Sequence, residues 1–325
     1  MQRKDWFGKL EHIARRFLSL IVHILLPAKA EAVVKQAARS AINNHRAKQH
    51  AKQAWARHLS ELFEDRYSLV KTVAHHQPER YVISLTTHGK RTNQLAPIAI
   101  ACLMNQSTPA DQVVLWLPRR ERVGKRLARL RKLGLVIIRC DDLGPYTKLI
   151  PALHRYPFAN IITADDDVLY PPNWLAGFIE GNRAHPTRIV TGRAHEIAID
   201  DDELRPYVTW HHQMTEVGDE RLVFPTGVGG ILYPPASFDQ RVFDMGLIMR
   251  LTPKADDIWF WAMARLNRTK YHLIEMAVDL RVMLINPAND DGLEANGNRD
   301  GGNDRQLRNV LNQFPVLKDF LGLAS

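Results

Sequence analysis

Asn160-Ile-Ile-Thr-Ala-Asp-Asp-Asp-Val-Leu-Tyr-Pro-Pro-Asn-Trp174 is the stretch on which the reading of the fold turns. Ile161 to Ala164 is a short apolar run and reads as a buried strand. It delivers Asp165, Asp166 and Asp167 to one point at its C-terminal end. Pro171 and Pro172 then break the backbone, and Asn173 is placed to cap a helix from Trp174 to about Ala184. Three adjacent anions repel one another, so the fold has to supply counter-charge, hydrogen bonds or open water. Oxygen ligands gathered at the end of a rigid strand suit a hard divalent cation, Mn²⁺ or Mg²⁺. A bare triple Asp is more often an Asx-turn or a solvated bend. Here the strand before it and the Pro-Pro-Asn-Trp after it fix the cluster in place.

Working outward, Tyr81 to Leu85, Gln112 to Leu117 and Leu135 to Cys140 are further short apolar runs. Helix-like stretches separate them: Gln94 to Asn105, Arg119 to Leu133 and Tyr146 to Arg155. Alternating strand and helix predicts an α/β fold with a mostly parallel sheet covered on both faces. Such sheets bind ligands at the C-terminal ends of their strands. Thr86-Thr-His-Gly-Lys-Arg91, Asp141-Asp142 and the triple Asp therefore fall along one edge. Polar or acidic residues at three strand ends point to a site.

Beyond the cluster the pattern is less regular. Arg188 to Arg193 reads as a strand, and Ile197 to Asp219 is polar and aromatic, with Trp210, His211 and His212. Phe224-Pro-Thr-Gly-Val-Gly-Gly230 is a glycine-rich loop feeding a strand from Ile231 to Tyr233. Thr252-Pro-Lys-Ala-Asp-Asp-Ile-Trp-Phe-Trp261 opens a helix with Asp256 and Asp257 in its first turn. One carboxylate there is accounted for by capping and the helix dipole; two are not. Asn286 to Arg305, rich in Asn, Asp and Gly, reads as a long loop before a last helix from Gln306 to Asn312.

The N-terminal quarter differs in kind. Residues 1–80 hold 15 Lys and Arg against 7 Asp and Glu, whereas the remaining 245 hold 29 against 28. The net charge of +9 thus belongs almost wholly to this segment, and the isoelectric point is no argument for nucleic-acid binding. Residues 5–26 place Trp6, Leu10, Ile13, Phe17, Ile21 and Ile24 at helical spacing beside Arg15 and Arg16. The fully apolar part is too short to span a bilayer, which takes about 20 residues. A basic amphipathic helix of this kind fits an anionic membrane surface. Residues 28–76 are mostly good helix formers and read as a helical stalk or a homo-oligomerisation element. Two cysteines, Cys102 and Cys140, make no disulfide framework and fit a reducing compartment. No Cys/His spacing matches zinc.

From about residue 80 to 310 the chain resembles the GT-A-fold glycosyltransferases of bacteria that build surface polysaccharide or lipopolysaccharide from nucleotide-sugars. Asp165-Asp-Asp167 matches the family's Asp-x-Asp motif. Gly144-Pro-Tyr-Thr-Lys-Leu-Ile-Pro151, the loop and strand from Gly227 to Pro235, Lys254 to Trp261 and Gly301 to Gln306 follow in the expected order. The resemblance implies an N-terminal extension over residues 1–76 and a GT-A-like catalytic domain over 77–325. It implies that Asp167, with Asp165, holds the cation against the diphosphate of the donor, Asp165 contacting the ribose or a metal-bound water. Asp166, counted with the donor-binding set, is expected to point into the fold or to support the ligands from behind. Thr86 and His88 take the nucleotide, while Arg91 and Lys148 meet phosphate oxygens. Asp257, or less favourably Asp256, is the general base on the acceptor hydroxyl in an inverting transfer. Asn303 and Asp304 are expected on a lid over the donor. A third metal ligand stays unassigned between His195 and His272.

The implied partners are a nucleotide-sugar donor, a glycan or lipid-linked acceptor and an anionic membrane surface, but no nucleic acid. The implied place is the cytoplasmic side of the inner membrane, peripherally attached. Two other readings stand beside this one: a nucleotidyltransferase on the same type of sheet, and a non-catalytic membrane-attached scaffold. The nucleotidyltransferase wants a Gly-rich basic loop after the first strand, which Thr87 to Arg91 matches only in part.

Overall fold

The computed structural model describes residues 45–71, 80–275 and 301–324. The expectation for residues 5–26 falls outside them, as do residues 28–44 and 72–76 of the expected 28–76 segment and residues 286–300 of the loop expected over 286–305. A helix, α1 (His45–Ser68), comes first, then β1 (Tyr81–Thr86), α2 (Arg91–Gln94), α3 (Ala96–Met104) and β2 (Gln112–Pro118). Next are α4 (Lys125–Lys132), β3 (Val136–Cys140), α5 (Ile150–Arg155), β4 (Asn160–Thr163) and α6 (Trp174–Ala184). The second half adds β5 (Ile189–Thr191), β6 (Ala194–Glu196), β7 (Ile199–Asp200), β8 (Glu203–Leu204), β9 (Val223–Pro225) and β10 (Ile231–Tyr233). Finally come α7 (Met245–Leu251), α8 (Asp256–Leu266), β11 (Tyr271–Leu273), α9 (Gly302–Gln313) and α10 (Val316–Leu321).

Seven strands form one sheet in the order β11-β5-β10-β4-β1-β2-β3. β1 runs parallel to both β2 and β4, β2 to β3, and β5 to β11. Only β10 is antiparallel to its neighbours, β4 and β5. The fold is therefore the expected Rossmann-like α/β arrangement with a mostly parallel sheet.

Side-chain alternation along the strands feeds two cores. Val82, Val114 and Ile161 join Ile248, Trp259, Leu307 and Leu317 on one face, under α5 and α7 to α10. Ile83, Leu115 and Ile162 join Phe63, Ile98, Leu127 and Phe178 on the other, under α1, α3, α4 and α6. The α1 helix is docked by its last turns. Leu59, Leu62 and Phe63 are buried there, and Glu64 accepts two bonds from Arg129, at 2.5 and 2.8 Å.

Local chemistry moves several boundaries. The stretch expected as one helix from Arg119 to Leu133 is helical only from Lys125, because Arg119 still bonds to Cys140 and Gly124 takes an extended N-cap conformation. The stretch from Tyr146 divides into a 3-10 turn, Gly144–Lys148, and α5, with Pro151 in the first turn of α5. A proline costs nothing there, since that N–H has no partner in a helix. Asn173 occupies the N-cap of α6, but its side chain makes no capping bond.

Candidate functional site

β4 ends at Thr163, and the Asp cluster follows at the C-terminal edge of the sheet. Asp166 turns inward. It is buried, accepts from Thr87 Oγ1 at 2.6 Å, and pairs with the Arg91 guanidinium. The same guanidinium lies 2.8 Å from Asp167 Oδ2. Asp165 takes the other cation, with Lys148 Nζ 3.2 Å from its Oδ1, while its backbone N–H donates to Tyr170 Oη at 2.6 Å. The repulsion within the cluster is thus met by two cations from separate elements. The balance is incomplete: burial raises the pKa of Asp166 even against the opposing charge of Arg91. Burial, opposed by Arg91 and reinforced by the neighbouring carboxylates, pushes Asp167 up to about 6.

The second acidic pair opens α8. Ala255 is the N-cap, and Asp256 and Asp257 lie in the first turn. Gly227 N–H donates to Asp257 Oδ2 at 3.2 Å. Burial and the adjacent Asp256 raise the Asp257 pKa, against the lowering influence of Lys148. Lys148 Nζ is 3.6 Å from Asp256 Oδ2 as well as 3.2 Å from Asp165, so one ammonium joins two acidic centres 91 residues apart in the chain. Burial works against that charge, but Asp165, Asp256 and Asp257 outweigh it and hold the Lys148 pKa well above the usual lysine value.

The glycine loop is shaped by these groups. A Cβ on Gly227 would stand 2.9 Å from Lys148 Nζ and 3.3 Å from Asp257 Oδ1. A Cβ on Gly230, whose φ is +102°, would meet Trp174 Cζ2 at 2.6 Å. Trp174 in turn donates its indole N–H to the Gly229 carbonyl at 2.7 Å. The tryptophan after the Asp motif therefore locks the glycine loop beside the second acidic pair.

A pocket of about 690 Å³ runs along this edge. Thr86, His88, Arg91, Lys148, Asp165, Asp166, Asp167, Asp256 and Asp257 all line it, so the residues named for the cation, the donor and the base border one cavity. Thr86 Oγ1 donates to the Trp116 carbonyl at 2.9 Å, and His88 is exposed at the rim. Arg91 and Lys148, expected at phosphate oxygens, direct their charge here to the protein's own carboxylates.

The far wall of the pocket includes Arg193, His195, Tyr207, Thr226 and Asn303. Their sequence signals are weak, because each sits in a short strand or an irregular segment. Thr226 Oγ1 and Asn303 Oδ1 are buried and make no hydrogen bond. Asn303 and Asp304 belong to the first turn of α9, not to a loop, and Asp304 accepts from the Tyr207 N–H at 2.7 Å. Trp210 packs against Tyr207 and Phe224 outside the pocket, His211 is exposed beside Glu196, and His212 lines the wall. His195 accepts the Gln213 N–H on Nδ1 at 3.2 Å, so its own proton is on Nε2. Burial, with Arg193 and His212 nearby, lowers its pKa to about 3 and keeps it neutral. His272 packs against His185, the rings tilted by 55°, and does not line the pocket.

Among the described residues, no three or more His, Cys, Asp or Glu side chains converge as a complete metal site. The donor set is two carboxylates of one strand end that line the cavity, Asp165, paired with Lys148, and Asp167, mostly buried and paired with Arg91. That fits a hard cation arriving with phosphate oxygens, the common arrangement for Mg²⁺, and does not fit a resident ion held by protein alone.

No family model and no curated protein matches the chain. Among solved structures it is similar to a CMP:2-keto-3-deoxy-manno-octonic acid synthetase complexed with CTP. That match has 10% identity and a TM-score of 0.38, over 62% of this chain and 91% of the other. It is also similar to the inositol-1-phosphate CTP transferase from T. maritima, at 11% identity and a TM-score of 0.36, over 61% and 85%. Likenesses this distant carry no argument about function, so the reading of the site rests on its own geometry.

Proposed function

We propose that the chain is a nucleotide-dependent transferase, and that its reaction is glycosyl transfer from a nucleotide-sugar to a surface glycan or lipid-linked acceptor. One observation carries this reading: two acidic pairs, Asp165/Asp167 and Asp256/Asp257, face a single cavity with Lys148 between them. Transfer of a sugar from a diphosphate needs two centres, one for the leaving group and one for the incoming hydroxyl. Asp165 and Asp167 would hold Mn²⁺ or Mg²⁺, which when bound offsets charge on the departing diphosphate. Thr86 and His88 lie at the end of β1, where the nucleoside would rest. Asp257, whose raised pKa suits proton transfer near neutrality, takes the acceptor proton as the hydroxyl oxygen bonds to the anomeric carbon. The bond from that carbon to the diphosphate breaks, and the nucleoside diphosphate leaves with the electron pair. Asp166 acts behind the site, anchoring Thr87 and Arg91.

Nucleotidyl transfer is the second reading. It is favoured by the loop after β1, where Gly89 is left-handed, with φ of 57°, between His88 and Lys90 at a strand end that faces the cavity. It gives the Asp256/Asp257 pair no task, and Arg91 is already engaged by Asp166 and Asp167. The two reactions release different products. Incubation with nucleotide-sugars and Mn²⁺ should liberate nucleoside diphosphate; incubation with nucleoside triphosphates and sugar phosphates should liberate no pyrophosphate. Pyrophosphate release would replace the first reading with the second. If UDP, GDP, CMP and CTP all fail to raise the melting temperature with Mn²⁺, both give way to the scaffold reading.

Attachment to the inner membrane face through residues 5–26, and self-association through residues 28–76, belong to this proposal. No helix among the described residues is long and apolar enough to cross a membrane.

A further inference from the structure

Two side chains on the far wall of the pocket have a need that the fold leaves unmet. Thr226 and Asn303 are 4% and 6% exposed, and both border the cavity. Neither Thr226 Oγ1 nor Asn303 Oδ1 has a hydrogen-bond partner. Buried polar groups are nearly always paired, because an unpaired one has lost its water and gained nothing in exchange. Both residues are held beside the second acidic pair. Thr226 precedes Gly227, whose N–H donates to Asp257, and its own N–H donates to the Arg193 carbonyl at 3.1 Å. Asn303 lies in the first turn of α9, where Gln306 accepts the Lys254 N–H at 3.0 Å, two residues before Asp256. The unmet groups therefore flank the carboxylate assigned as base.

The rest of this wall says what kind of molecule meets them. His195 accepts the Gln213 N–H on Nδ1, which leaves its Nε2–H as a donor on a residue that borders the cavity. The Tyr207 ring stands edge-on to His195, centroids 5.9 Å apart, and Val208 beside it lines the cavity while 62% exposed. Hydroxyl, amide carbonyl, imidazole N–H and apolar surface thus share one wall. Asn303 Oδ1 only accepts, so its partner must donate. A carboxylate or a phosphodiester has no proton to give, and an acyl chain has no polar atom to offer. A sugar ring has hydroxyls that donate and accept, and C–H faces that pack on aromatic or aliphatic side chains.

We propose that Thr226, Asn303 and His195 form a subsite for the terminal sugar ring of a carbohydrate acceptor, whose C–H face lies against Tyr207 and Val208. This subsite rests on the reading of Asp257 as the base of glycosyl transfer. It narrows the acceptor of that reaction: recognition is by the hydroxyls of the sugar itself, not by a lipid or phosphate attached to it.

The test uses the full chain and the methyl glycosides of glucose, galactose and mannose, with binding read by saturation-transfer NMR in the absence of nucleotide. Wild type should bind at least one of them. Thr226→Val keeps the shape and removes the hydroxyl, and should weaken that binding about tenfold, whereas Thr226→Ser should restore it. Asn303→Ala should weaken it comparably. The melting temperature of unliganded Thr226→Val should not fall, since the hydroxyl it lacks has no partner to lose. Three results would each overturn the proposal: no glycoside bound by wild type, equal binding by wild type and Thr226→Val, or a lower melting temperature for Thr226→Val. Binding of glycerol phosphate in place of the glycosides would overturn it too. Failure of the transfer reading looks different. If the glycosides bind and the variants lose them, but no nucleotide-sugar yields nucleoside diphosphate, the sugar subsite stands and glycosyl transfer falls.

Discussion

Replacing Lys148 by Met tests the link between the two acidic centres. The ammonium is 3.2 Å from Asp165 and 3.6 Å from Asp256, with 15% of the side chain exposed. At an effective dielectric of about 20, each attraction is on the order of 5 kcal/mol before the cost of removing the charges from water. Met fills similar volume, so packing changes little and the effect is electrostatic. Its removal leaves buried carboxylates without their counter-charge, which typically costs about 3–5 kcal/mol. At roughly 2–4 °C per kcal/mol for a chain of this size, Lys148→Met should melt about 10 °C below wild type. Urea unfolding at neutral pH gives the free energy directly. A cycle with Asp256→Asn gives the coupling, since the lysine should matter less once its partner is neutral. A loss under about 1 kcal/mol, or the same loss in both backgrounds, would refute the bridging role.

Asp257→Asn should lower turnover by about 10²–10⁴-fold while nucleotide still raises the melting temperature, because it removes the base and not the donor site. Asp167→Ala should abolish the Mn²⁺-dependent part of that thermal shift; retention of the full shift would sink the metal assignment. His195, held neutral with its pKa lowered to about 3, contributes stability above its unfolded value of about 6.5, and this is lost as pH falls toward 3. His195→Gln keeps the acceptor for Gln213, so its melting temperature should fall less steeply than wild type over that acidic range. Gly230→Ala puts a Cβ 2.6 Å from Trp174 at a φ of +102° and should cost roughly 2–4 kcal/mol, read by the same urea titration.

Much of this architecture was legible in the sequence because the central strands are written in apolar runs. Tyr81–Thr86, Gln112–Pro118, Val136–Cys140 and Asn160–Thr163 stand where those runs do, and all four feed the expected edge. Helix ends were harder. The segment from Arg119 has helical composition, yet backbone pairing with β3 claims its start. Gly301 to Arg305 looked like loop from its Gly, Asn and Asp content, but α9 begins at Gly302, with Leu307 and Val310 buried against α8. Tertiary burial overrides local propensity there. In the site, the carboxylates announced themselves by clustering. What a linear reading could not contain was pairing: Arg91 with Asp166, and Lys148 with both acidic centres. His195, Thr226 and Asn303 reach the pocket only because distant short segments converge.

The 3-10 turn that carries Lys148 is tied down at its centre. The Tyr146 hydroxyl donates to the Thr252 carbonyl, four residues before Asp256, and Ser84 Oγ holds the Lys148 carbonyl at 2.5 Å. The turn is therefore a rivet through three layers of the chain: β1, the turn itself and the approach to α8. Such a fastening limits how the molecule can be recombined. A chimera that imports residues 160–174 from a relative, to change what the Asp cluster receives, would bring carboxylates whose counter-charge belongs to another parent. Segments 144–148, 160–174 and 252–257 form one inheritance unit, and a library that shuffles them separately should yield mostly misfolded clones.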